Sequence, residues 1–165
     1  MQVEIYLMVG QQRAVAQVHS NQGLLLARKG DIPAALDAFE WADRYFVHSD
    51  SALARGFMLL DRCQALLSVR LAAEARRDAE DAIVQFANSK ANRYLAEARL
   101  LLSHATLLEG DVVTARSSAE EAQRSFARQG LSSWAALARH TSLGARMGAG
   151  GPQPNVGEIR PKNRG

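Results

Sequence analysis

The sequence predicts an all-α chain, a stack of antiparallel helical hairpins without a β-sheet. Three observations carry this reading. Apolar residues recur at steps of three and four, as in Leu59, Leu60, Cys63, Leu66 and Leu67, which is the spacing of one helix face. No proline stands between Pro33 and Pro152, so long helices can run uninterrupted. The chain also repeats itself about every 40 residues, as arrays built from one supersecondary unit do.

The repeat is visible column by column. Gly30-Asp31 recurs as Gly110-Asp111, with Arg70-Leu71 as a degenerate copy between them. Ala35, Ala75 and Ala115 align, as do Ala42, Ala82 and Ala122. Phe46, Phe86 and Phe126 share one register, and Tyr6 falls in it one period earlier. Gly23, Cys63 and Ser103 form a column of small residues.

Residues 1–8 align with the end of a second helix, and residues 1–10 are expected to be the remnant of a preceding repeat helix. An array that opens in mid-hairpin predicts further sequence upstream. Residues 11–147 are expected to form three helical pairs plus a seventh, capping helix. The helices are placed at about 11–29, 32–48, 52–69, 71–88, 92–109, 112–128 and 132–147. Gly30 suits the left-handed residue after a helix, and Asp31 suits the N-cap of the next. Pro33 opens that helix where a missing N–H costs nothing. Ser49-Asp50-Ser51, the stretch from Asn88 to Asn92, and that from Gly130 to Ser133 supply the other breaks. The seventh helix, with Trp134, Leu137 and Met147, is expected to cover the end of the stack. Residues 148–165 read as a disordered, Gly/Pro-rich basic tail.

Composition narrows the function classes. Hydrophobic residues make up 47% and aromatics only 6%, which suits close helix packing better than a β-sandwich. The net charge of +3 sits largely in the tail, where Arg160, Lys162 and Arg164 outnumber Glu158. The body is mixed in sign, unlike the one-sided basic face of a nucleic-acid binder, so no direct nucleic-acid partner is expected. Cys63 is the single cysteine, which rules out an internal disulfide and fits a reducing cytoplasm. The sequence has neither the pattern of a signal peptide nor an apolar run long enough for a membrane span, so no membrane partner is expected.

Candidate chemistry reads as structural. Cys63 could pair with a histidine as a nucleophile, yet it stands in the small-residue column facing a paired helix. His19, His48, His104 and His140 show no metal-ligand spacing. Gly148-Ala149-Gly150-Gly151 does not continue as a phosphate loop. Glu74, Asp78, Glu80 and Asp81, interspersed with Arg76 and Arg77, read as a solvated face. No catalytic residue, cofactor or metal site is therefore expected, and the chain is read as a non-enzyme.

The spacing of Gly23, Leu26, Gly30-Asp31, Ala35, Phe39 and Ala42 resembles the tetratricopeptide repeat over about residues 12–147. The second unit keeps Cys63, Leu66, Ala75, Ala79 and Ala82 but lacks the Gly-Asp turn and the aromatic. The third keeps Ser103, Gly110-Asp111, Ala115, Ala119 and Ala122. The usual repeat is shorter, so the helices here should be longer. This resemblance implies a right-handed α-α superhelix, a tetratricopeptide-like solenoid. Its first helices would line a concave groove that receives a protein or peptide.

The runs Leu60 to Leu67, Ala96 to Leu102 and Phe126 to Ala138 are similar to the repeat region of actinobacterial CHAT-domain proteins, whose caspase-like module follows such arrays. No catalytic residue of that module falls within this chain. Similar long repeats occur in large bacterial transcription regulators.

By the tetratricopeptide resemblance, three rows cross the groove: Gln17, Phe57 and Glu97; Asn21, Asp61 and Leu101; Leu24, Gln64 and His104. Leu24, Phe57 and Leu60 would anchor a partner, and Asn21, Asp61, Gln64 and His104 would fix its register. The same positions could equally be solvated or packed. Asp61 and the absence of lysine in the rows speak against a clamp for a C-terminal carboxylate. The function expected is a non-catalytic protein-interaction scaffold. The alternatives are the regulatory arm of a CHAT protease, with the effector domain in the same parent chain, and the sensor arm of a transcription regulator.

Overall fold

The computed structural model describes the backbone of residues 2–147 and the side chains of residue 8 and residues 10–147. The expected disordered tail, 148–165, lies outside the described residues. The described elements are seven α-helices: α1 (Gln2–Arg28), α2 (Ile32–Phe46), α3 (Ala52–Ser68), α4 (Ala72–Asn88), α5 (Asn92–Glu109), α6 (Val112–Arg128) and α7 (Ser132–Arg146). From α2 onward they begin at Ile32, Ala52, Ala72, Asn92, Val112 and Ser132, twenty residues apart each time. The exception to the expected boundaries is α1. It runs unbroken from Gln2, so no turn separates residues 2–10 from the first helix. Gly10 lies inside it without a Gly-Asp or proline signal, and a lone glycine does not end a helix.

Five of the six connections share one turn geometry. Gly30, Arg70, Lys90, Gly110 and Gly130 all take a left-handed backbone. In each case the N–H of the next residue (Asp31, Leu71, Ala91, Asp111, Leu131) donates to the carbonyl five residues back at 2.9–3.0 Å. This closure satisfies carbonyls that the helix end leaves open. Asp31 and Asp111 then cap α2 and α6, accepting from the N–H groups of Ala34 at 3.3 Å and Thr114 at 3.1 Å. The α2–α3 connection departs from this scheme. There the Ser49 hydroxyl donates to the Phe46 carbonyl and accepts from the Ser51 N–H.

Each helix packs along its successor, and each odd-numbered helix also touches the next odd one. The repeated alanines and phenylalanines fill the space between layers. Ala35, Ala75, Ala115, Ala42, Ala82 and Ala122 are fully buried, as are Phe46, Phe86 and Phe126. Small residues let the backbones approach, and one ring per unit plugs the remaining gap. Trp134 stacks on Phe126 at 5.3 Å between centroids and, with Leu137, is buried in this core. Met147, expected to help cover the end, is exposed.

The α2–α3 contact is the sparsest between consecutive helices, and charge supplements it. Arg55 of α3 donates to Asp43 of α2 at 2.8 Å and lies 3.5 Å from Asp81 of α4. Arg62 makes a two-pronged contact with Asp78, 2.7 Å on both prongs, and approaches Asp43 at 3.5 Å. Planar guanidinium against carboxylate gives this joint a fixed geometry.

Candidate functional site

The three expected rows separate by depth. Gln17 and Asn21 are exposed and linked to each other, Gln17 Nε2 donating to Asn21 Oδ1 at 3.2 Å. Leu24 is half-buried against the core. Phe57 is drawn into an aromatic cluster, edge-on to Tyr94 at 4.6 Å and to Phe86 at 5.5 Å. Gln64 is half-buried, and its Nε2 has no hydrogen-bond partner among the described residues.

Leu60, Asp61, Glu97 and His104 are buried, with Asp61 at 5% exposure and Glu97 at 2%. These four side chains do not reach solvent. The reason lies in α5, which touches α3, α4, α6 and α7 at once, so its first-helix face is covered. The close approach of α3 to α5 shields the matching face of α3 in the same way.

The individual chemical candidates also find their settings. Cys63 is buried, and its thiol donates to the Ala75 carbonyl at 3.3 Å. Ser103 occupies the same column and donates to the Ala115 carbonyl at 2.6 Å. His104 Nε2 and Thr141 Oγ1 are hydrogen-bonded at 3.2 Å, and the Thr141 hydroxyl also reaches the Leu137 carbonyl at 3.1 Å. Burial holds the His104 imidazole down to about 4, and it is neutral at ordinary pH.

The acidic run on α4 is not a uniformly solvated face, because Asp78 is buried against Arg62. Burial pushes the Asp78 carboxyl above the ordinary range, opposed by the two hydrogen bonds from Arg62. Arg76 does face solvent, bridging Glu80, Glu109 and Asp111 and so tying α4 to the α5–α6 turn. No group of three His, Cys, Asp or Glu among the described residues could hold a metal. No described helix is long and apolar enough to cross a membrane.

An open cleft lies elsewhere among the described residues. A cleft of about 540 Å³ runs along α6 and α7, with Ala127, Ala135, Ala136 and Leu143 as its apolar lining and Gln123 and Arg139 beside them. A second, polar cleft adjoins it and shares Gln123, Arg139 and Leu143. It adds Arg116, Arg124 and Arg146 against one acid, Glu120. Hydrogen bonds from Arg116 and then Arg146 hold Glu120 down to about 2, so it stays charged. Arg124 and Arg139 make no ion pair among the described residues.

A signal for this cleft was present in the sequence. Leu143 follows Gly23, Cys63 and Ser103 in their column, a large residue where small ones pack against the next helix. Among the described residues no helix follows α7, and Leu143 is 45% exposed.

Compared with protein-family models, curated proteins and solved structures, the chain finds no match in any of the three.

Proposed function

We propose that this chain is a non-catalytic protein-interaction scaffold, a right-handed α-α superhelix of tetratricopeptide type with a period of about 40 residues. The twenty-residue spacing of helix starts and the recurring left-handed turns support the architecture. The single observation that carries the function is the α6–α7 cleft. It joins an apolar floor to a rim of polar and charged groups, the composition of a docking surface for a partner protein. The exposed pair Gln17 and Asn21 remains available as a secondary contact on α1.

The test places a photo-crosslinking residue at Ala136, at Gln17 or at Arg77 on the outer face of α4, in the full chain within the cells that make it. The expected result is a discrete crosslinked partner from Ala136 and none from Arg77. Crosslinks from Gln17 alone would return the binding surface to the α1 row. No partner from either Ala136 or Gln17 would overturn the scaffold reading.

A further inference from the structure

The α6–α7 cleft has the shape of a place that a helix fills elsewhere in the same molecule. α4 lies along α3 and meets it at three defined points. The Phe86 ring covers Gly56, where an added Cβ would come within 2.8 Å of it. The Ala75 carbonyl accepts from Cys63, and Asp78 binds Arg62. Eighty residues on from Gly56, Arg62 and Cys63 stand Ala136, Ser142 and Leu143. Ala136 and Leu143 line the apolar cleft, while Ser142 and Leu143 line the polar one. The helix face that α4 covers on α3 is thus left open on α7 among the described residues.

Charge says what fits there. On α3, Arg55 and Arg62 are met by Asp81 and Asp78 of the covering helix. On α7 and its neighbour α6 the cleft carries Arg116, Arg124, Arg139 and Arg146 against Glu120. Ala135 and Ser142 stand where α3 has Arg55 and Arg62, so the positive charge here sits on other residues, of which Arg124 and Arg139 make no ion pair among the described residues, and acids on the flank of an arriving helix would meet them. Residues 148–165 are a poor complement, with three prolines and more basic than acidic residues.

Resting on the scaffold reading, the geometry points to an acidic amphipathic helix of a partner protein as the occupant of this cleft, lying on α7 as α4 lies on α3. Its small apolar residues face Ala136 and Leu143, and its carboxylates face Arg139 and Arg146. This is helix-in-groove recognition with the register set by charge.

The probe is a fluorescent 17-residue peptide of the α4 sequence carrying Arg76→Glu and Arg77→Glu. Its control carries lysine at all the acidic positions. Binding to the full chain is read by anisotropy, and folding of each variant by circular dichroism. The acidic peptide should bind at least about tenfold tighter than the control and weaken with added salt. Arg139→Glu, a change at an exposed and unpaired side chain, should cost about tenfold or more. Ala136→Trp, which fills the cleft, should abolish binding.

Equal binding of the two peptides, or indifference to Arg139→Glu, would overturn the proposal. A self-association that Ala136→Trp abolishes would make a second copy the occupant and also overturn it. So would a tenfold gain in peptide affinity on changing Val156 and Ile159 to Asp, which would make residues 148–165 the occupant. Crosslinks from Ala136 without preference for the acidic peptide would leave the scaffold reading standing while this inference falls.

Discussion

Gly23 lies directly beneath the ring of Phe39, so close that a Cβ in its place would stand 2.8 Å from Cδ1 and Cε1. The same column holds Cys63 and Ser103 in the later units, where the facing aromatic is replaced by Ala79 and Ala119. Ring size on one helix and side-chain size on the other thus trade against each other. Phe39 is fully buried and cannot swing aside. Gly23→Ala should therefore lose about 1–2 kcal/mol, overpacking outweighing the roughly 1 kcal/mol that alanine contributes in a helix. In a Phe39→Ala background the same change should be neutral or stabilising, and a double-mutant cycle in urea measures this coupling.

Arg70 holds the left-handed position that Gly30 and Gly110 hold in the other two hairpins. Its side chain is exposed, and only its Cβ opposes the turn. Arg70→Gly should stabilise the chain by about 0.5–1 kcal/mol, the relief of Cβ strain exceeding the added freedom of unfolded glycine. A lower melting temperature would show that the arginine side chain supports the turn.

Arg62 and Asp78 form a largely desolvated pair at the α3–α4 contact. Removing the guanidinium with Arg62→Ala leaves a buried carboxylate and should cost about 3 kcal/mol. The double change Arg62→Met with Asp78→Leu should cost much less, since no charge is left stranded. Chemical unfolding of the three proteins separates the two cases.

His104 titrates at about 4 in the folded chain, against 6.5 for the free side chain. Between these values the unfolded chain binds the extra proton, so stability rises with pH. The contribution is complete above about pH 6.5 and is lost as pH falls toward 4, on the order of 3 kcal/mol in all. His104→Asn should flatten that slope relative to the parent when urea midpoints are compared from pH 7.5 down to 4.5. Parallel slopes would show that the folded imidazole titrates normally.

How much of this was legible beforehand depends on the range of the interaction. Helix starts, turn residues and the alanine and phenylalanine columns were readable because they are set by neighbours within five residues or by strict repetition. Asp31 capping Ala34 and Gly30 closing α1 are of this kind. The site was less legible. Asp61, Glu97 and His104 carry polar side chains at positions that the repeat pattern assigns to a groove, and they are nonetheless buried.

The sequence by itself determined the all-helical character, the punctuation and the identity of the packing columns, since each follows from local backbone chemistry and spacing. Only the tertiary structure decided which polar residues reach solvent and where, among the described residues, a helix-sized face is left open. That outcome depends on how closely α3, α5 and α7 approach one another, a distance fixed by side chains far apart in the chain, and no single helix's periodicity encodes it.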